Sequence, residues 1–314
     1  MRLVFLLLLV GGLSSGLAFA ASNATCEVVD AGAGPAGVWF LCEDHRILIS
    51  PDEGKTWRAA SIQTESNVQS AAFVDARRGF VVAYAGNLFA TDDGGNTWRK
   101  VDLPVKDNLM AIDFKGESGW IVGYGGLVLH TDDGGRTWTK QKTDVTQPLE
   151  CLFFLDATYG WAGGWIGNVA RTTDGGHTWT AGKVPAMAWT VNAIYFKDQT
   201  NGWAVGFAGQ ILRTKDGGVN WTAENSPTNF SLTSIMFDSA GTGWIAADND
   251  LLVSKDGGEK WDFIDLAGQP FLNRIIRVGN TLWAVGQYNM LQLAPGSQEW
   301  KAVGLPSIVA PADQ

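Results

Sequence analysis

Six copies of one acidic turn dominate the chemistry that this sequence could carry. They are Ser50–Trp57, Thr91–Trp98, Thr131–Trp138, Thr172–Trp179, Thr214–Trp221 and Ser254–Trp261, each with Asp third, Gly fifth and Trp last. Repeated carboxylates could serve as calcium ligands or as glycosidase acids. Calcium takes about six or more converging oxygens, and each turn offers one Asp at a fixed place. Asp93, Asp133, Asp174, Asp216 and Asp256 therefore read as turn-forming residues. Their carboxylates accept backbone N–H bonds, Gly takes a positive φ, and Trp folds over the hairpin.

The remaining candidates are few. Three His and three Cys make a poor ligand set with supporting partners, so neither a metal nor a cofactor is expected. His130 and His177 stand where other copies carry Arg or Asn, and read as surface residues. Cys26 and Cys42 flank the Gly-rich turn 31–37, which sets them opposite each other on neighbouring strands, and a disulfide between them is expected. Cys151 aligns with Ser70, Ala111, Ala193 and Ser234, at a position that takes only small side chains; there a Cys acts as a small hydrophobe.

What positions these residues is a repeat. The closing Trp of each turn falls at Trp57, Trp98, Trp138, Trp179, Trp221 and Trp261, with a worn seventh copy at Trp300, at a spacing of about 40 residues, the length of one four-stranded propeller blade. A second pattern precedes it in each period, as in Gly119–Gly123 and Gly202–Gly206, and before that comes a short apolar strand ending in Phe73, Phe114, Phe154, Phe196 or Phe237. The strands are rich in Val, Ile, Trp and Phe and bounded by Gly and Asp, with no sustained helical period. The fold class is all-β: a single seven-bladed β-propeller of four-stranded antiparallel blades spanning residues 21–314. Each blade looks complete within its own repeat. Of the 15 Trp, only Trp165 and Trp189 fall outside the two repeated positions.

The apolar run Leu3–Val10 and the small-x-small segment Ala18-Phe19-Ala20 predict a signal peptide over 1–20. That run is too short to cross a bilayer, and no later stretch is longer and apolar. A soluble, exported and monomeric chain is expected, in a periplasm or, in a photosynthetic source, the thylakoid lumen. Asn23-Ala24-Thr25 before Cys26 makes a poor lipoprotein signal. A formal charge of −9 repels phosphate backbones, which disfavours nucleic acid as a partner.

In a meandering blade the loop between the second and third strands lies on the face opposite the acidic turns. Aligned, the tips of those loops are Glu43, Tyr84, Tyr124, Trp165, Phe207, Asp248 and Gln287. Blades 2 to 5 thus present four consecutive aromatics, the composition of a protein-binding hot spot. The alternative is that the rings pack over their own hairpins.

The acidic turn is the Asp-box, first described in bacterial sialidases. A sialidase needs three converging Arg and a Tyr nucleophile, and most other glycosidases need two facing carboxylates. Tyr84, Tyr124, Tyr159, Tyr195 and Tyr288 have no such context, and no hydrolase elbow, zinc-protease or phosphate-loop motif is present. The expectation is a protein that is not an enzyme; a glycan-binding or sialidase-like propeller is the alternative. In its fullest copy, Gly202–Trp221, the repeat resembles the photosystem II stability and assembly factor family, and the resemblance covers residues 25–305. It implies a non-enzymatic scaffold that binds a protein partner, the precursor of a reaction-centre protein within a membrane-protein assembly intermediate. It also implies an arginine-rich patch, for which only Arg171 and Arg213, aligned with His130, could stand in. The expected partner-binding residues are these two arginines with Tyr84, Tyr124, Trp165, Phe207 and Trp189.

Overall fold

Runs of four to seven residues rich in Val, Ile, Phe and Trp, cut by Gly or Asp-Gly-Gly, can form only short strands joined by tight turns. The computed structural model describes residues 26–186, 188–248, 250–264, 266, 271–297 and 299–306. The expected signal peptide and the start of the domain near residue 21 lie outside them. The strands assemble into seven antiparallel sheets, one per repeat. Blade 1, for example, is Val28–Gly34, Gly37–Cys42, Arg46–Ser50 and Arg58–Ser61, paired in that order. Blade 4 departs from the plain pattern: Lys142–Thr143 pairs in parallel with its outer strand, Thr178–Ala181, as a fifth strand.

The first strands line the axis in ring order: Val28–Gly34, Val68–Phe73, Leu109–Lys115, Leu149–Phe154, Val191–Phe196, Leu232–Phe237 and Leu272–Val278. The last packs against the first, and each described blade draws all four strands from its own repeat. Ring closure therefore uses no exchanged strand among the described residues. At the seam Asn273 Nδ2 donates to the Val28 carbonyl at 2.6 Å, and Arg274 Nε to Asp30 Oδ1 at 2.7 Å. Cys26 and Cys42 form a disulfide within blade 1, beside that seam.

Adjacent blades are joined by a recurring contact. The indole of Trp120 in blade 3 donates to Gly175 O of blade 4 at 2.8 Å, and that of Trp161 in blade 4 to Gly217 O of blade 5 at 2.9 Å. The following Gly must stay bare: at Gly218, φ is +87° and a Cβ would sit 2.9 Å from the Trp161 indole nitrogen. Trp283 lies in the same way over Gly54 of blade 1, and against Phe40 and Trp57, so the closing seam is built like the others.

One expectation about the axis is corrected. The position of Cys151 holds Ser70, Ala111, Ala193 and Ser234, but in blades 1 and 7 it holds Asp30 and Arg274. Opposite charges at adjacent positions satisfy each other, so this ring of positions admits more than small side chains. Together these residues line an axial cavity of about 320 Å³. Cys151 is buried there, and burial pushes its thiol up to about 12, so it is an inert packing residue.

Candidate functional site

Every first strand carries a β-bulge after its opening residue. A bulge re-aims one side chain, and the residues so displaced are Val29, Gln69, Met110, Glu150, Asn192, Thr233 and Asn273. All of them line the mouth of the axial channel.

Around that mouth stand the seven loop tips, Glu43, Tyr84, Tyr124, Trp165, Phe207, Asp248 and Gln287. Each donates its backbone N–H to a carbonyl just before the first strand of its own blade, as Tyr124 does to Asn108 and Trp165 to Pro148. The tips are therefore structurally equivalent and pinned. In blades 3, 4 and 5 they open short 3₁₀ turns, Tyr124–Gly126, Trp165–Gly167 and Phe207–Gly209.

The aromatic tips form two groups. Tyr84 and Tyr124 lie 6.4 Å apart between ring centroids, and Tyr124 and Trp165 5.8 Å. Trp165 is 40 % exposed, with its indole N–H held by Glu150. Phe207, 52 % exposed, faces Trp189 at 5.7 Å. The backbone of Trp189 is clamped at both its N–H and its carbonyl by the Gln210 amide, which fixes an exposed indole beside an apolar groove of about 460 Å³.

Further exposed apolar residues on this face escaped the sequence reading. Ile166 follows Trp165 at 68 % exposure with φ 56°, a left-handed conformation that a β-branched residue rarely adopts. Phe271 supplies the carbonyl that binds the Gln287 tip, and exposed Tyr288 follows that tip. Exposed Phe230 precedes Ser231, whose carbonyl binds the Asp248 tip. The repeat spacing of the loops before each first strand was the available signal for the two Phe.

The face is also acidic. A hydrogen bond with Glu27 raises the Glu43 carboxyl above its ordinary range, and burial raises Glu150 and Asp248.

The arginines lie elsewhere. Arg171 and Arg213 sit at the far ends of their third strands, Val169–Thr172 and Ile211–Thr214, next to the Asp-boxes. A strand of four residues separates them from the tips by about 13 Å. Arg213 is buried against the Trp203 ring and donates to Glu259 Oε1 at 2.7 Å, so its charge is already used inside the protein. The two arginines thus lie toward the Asp-box end of their blades, away from the aromatic tips. His130 is likewise not a surface residue: only 4 % exposed, it stacks on Trp120 at 5.4 Å. His177 is exposed.

The Asp-box carboxylates are consumed locally. Asp93 accepts the Thr97 hydroxyl at 2.6 Å and the Thr97 N–H at 3.0 Å; Asp52, Asp133 and Asp174 repeat this with their own Thr, Asp216 accepts the N–H and side-chain amide of Asn220, and Asp256 the Lys260 N–H.

Comparison with known proteins gives this ring its relatives. The family model for the photosynthesis system II assembly factor YCF48 matches residues 49–181 and 183–303. A photosystem II assembly lipoprotein Ycf48 from Parasynechococcus marenigrum is 42 % identical over 65 residues, and one from Prochlorococcus marinus 33 % over 73. These segments span only about a fifth of the curated relatives and 19 % and 22 % of this chain. Among solved structures, YCF48 bound to a D1 peptide superposes with a TM-score of 0.64 at 25 % identity, covering 78 % of this chain and 85 % of that one. YCF48 from Cyanidioschyzon merolae gives 0.63 at 20 % identity over 79 % and 88 %, a likeness of fold. The relatives are named lipoproteins, whereas here the Cys26 sulfur is bonded to Cys42. With the model matched across six of the seven blades and into the first, the chain belongs to the photosynthesis system II assembly factor YCF48 family.

Proposed function

We propose that this chain is a non-catalytic scaffold that helps assemble or stabilise a membrane-protein complex of photosystem II type by holding a protein partner on its aromatic mouth. The observation that carries the reading is the pinned arc of half-buried Tyr84 and Tyr124 with exposed Trp165, Phe207 and Trp189. Rigid aromatics projecting from fixed turns lose little entropy on binding, the property of an interface hot spot. The solved relative bound to a D1 peptide supports an extended peptide of an assembling subunit as the partner. Acidic Glu43, Glu150 and Asp248 around the same mouth favour a partner segment with a basic residue. The bonding of every Asp-box carboxylate within its own turn supports a non-catalytic role.

No helix among the described residues is long and apolar enough to cross a membrane. The disulfide supports an oxidising compartment, which fits an exported mature chain starting near residue 21, as one monomeric domain in a periplasm or thylakoid lumen. The test is the double substitution Trp165→Ala/Tyr124→Ala. It is expected to leave thermal stability nearly intact and to weaken binding of a D1-derived peptide at least ten-fold. A large loss of stability would assign the rings to packing, and unchanged peptide affinity would remove them from the interface. Oligosaccharide binding lost in the same variant would favour a glycan platform.

A further inference from the structure

The seams between blades set three positions against one another: the residue before an Asp-box, the second residue of that box, and the sixth residue of the next blade's box. Between blades 5 and 6 these positions hold Arg213, Lys215 and Glu259, an ion-paired cluster with Nη2–Oε1 at 2.7 Å and Nζ–Oε1 at 3.9 Å. Between blades 3 and 4 they hold His130, Asp132 and His177. One ligand atom from each lies within 4.8 Å of the others.

The His130 position needs no polar atom for packing, since Ile49, Ala90 and Val253 fill it elsewhere. Its Nε2 is nevertheless fully buried without a hydrogen-bond partner among the described residues. Asp132 Oδ1 is 3.3 Å away but does not align to bond it. Burying such a nitrogen unsatisfied is unfavourable, a cost the apolar residues at the equivalent positions avoid. His177 is prepared differently. Its Nδ1 lies 2.6 Å from the Asp174 carbonyl, which can only accept, so Nδ1 carries a proton and in the neutral ring the lone pair is on Nε2. A carbonyl fixing one imidazole nitrogen while the other ligates is the usual outer support of a metal-binding His.

We propose that His130, Asp132 and His177 form a binding site for a borderline divalent transition metal of the zinc class, clamping blade 3 to blade 4. Two imidazoles and one carboxylate suit zinc rather than calcium or magnesium, which prefer all-oxygen shells. Ligand atoms around a tetrahedral zinc lie about 3.4 Å apart, given metal–ligand bonds of roughly 2.1 Å. Asp132 and His177 are exposed and close the remaining gap onto the anchored His130. The fourth position faces solvent and is open to water or to a partner's ligand.

The test uses the full mature chain after chelator treatment, titrated with zinc chloride by calorimetry and followed by thermal melting. One zinc per chain and a rise in melting temperature are expected, with no such response to calcium. His177→Ala and Asp132→Asn, both at exposed positions, should each weaken zinc binding at least ten-fold while keeping the metal-free melting temperature. His45→Asn, which removes the third histidine, should leave binding unchanged. Ring resonances of His130 and His177 should shift together on saturation with zinc. Absence of one-site binding, wild-type affinity in His177→Ala, or loss of binding in His45→Asn would overturn the assignment.

Discussion

At the scale of single residues, the tip of blade 4 is the place where conformation and exposure conflict. Ile166 holds a left-handed backbone and an exposed apolar side chain, where blade 3 has Gly125 at φ 68° and blades 2 and 5 have Ala85 and Ala208. A branched side chain there raises the folded state's energy, and strain of this kind collects at binding sites. Ile166→Gly is expected to stabilise the protein by about 0.5–1 kcal/mol, the left-handed penalty less glycine's entropy cost, as read by chemical denaturation. The same change should weaken peptide binding. A drop in stability would sink the strain argument, and undiminished affinity would take Ile166 out of the proposed interface. The aromatic tips were legible because the meander fixes which loop each occupies. Ile166 was not, because its conflict is one of backbone angle, which no residue pattern displays.

At the scale of the element, the Asp-box turn links acid stability to architecture. The N–H and then the hydroxyl of Thr56 hold the Asp52 carboxyl down at about 2. Around Asp133 burial pushes upward but is outweighed by the Thr137 hydroxyl and N–H, again giving about 2. Above the ordinary value of 3.8 these groups are ionised whether the chain is folded or not, and their stabilisation is complete. Below it the unfolded chain takes up protons that the folded turns refuse, so stability falls as pH drops from about 4 to about 2. The melting temperature should decline across that window, and the decline should be shallower in Asp133→Asn. A flat profile from pH 4 to 2 would refute this account.

The turn itself was readable from local composition. Contacts across a seam were not, because their partners lie far apart in sequence, 46 residues for Arg213 and Glu259 and 55 for Trp120 and Gly175, and only the assembled ring shows which positions meet. His130 reads as a surface residue and Arg213 as a partner-binding one for this reason. The strand that carries them was assigned, but the neighbouring blade that buries them was not in view.

At the scale of the whole molecule, closure rests on blade 7 meeting blade 1. Asp30 is buried and accepts N–H groups from Ala31 and Ala71 as well as the Arg274 guanidinium. Arg274→Met should destabilise the ring by about 3 kcal/mol, since the buried Asp30 carboxylate loses the half-buried guanidinium that compensates it. Adding Asp30→Asn should recover part of that loss, measured as a double-mutant cycle. Full additivity would mean that the pair does not couple. The number of blades was legible from the Trp spacing. The chemistry of closure was hidden because the outermost repeats are the most worn, and Arg274 was not recognised as an axial residue.

Closure without an exchanged strand among the described residues also bears on how the chain folds. The side-chain bonds that tie neighbouring inner strands, such as Asp30 to Ala71 and Asp113 to Phe154, bridge 41 residues, whereas those closing the ring bridge 244 and 245. By loop-closure entropy that difference costs about 1.6 kcal/mol, at roughly 0.6 kcal/mol for each doubling of length. Blades can therefore add one after another to a growing arc during synthesis or translocation. The axial channel and the complete aromatic mouth come into being only when the last blade reaches the first.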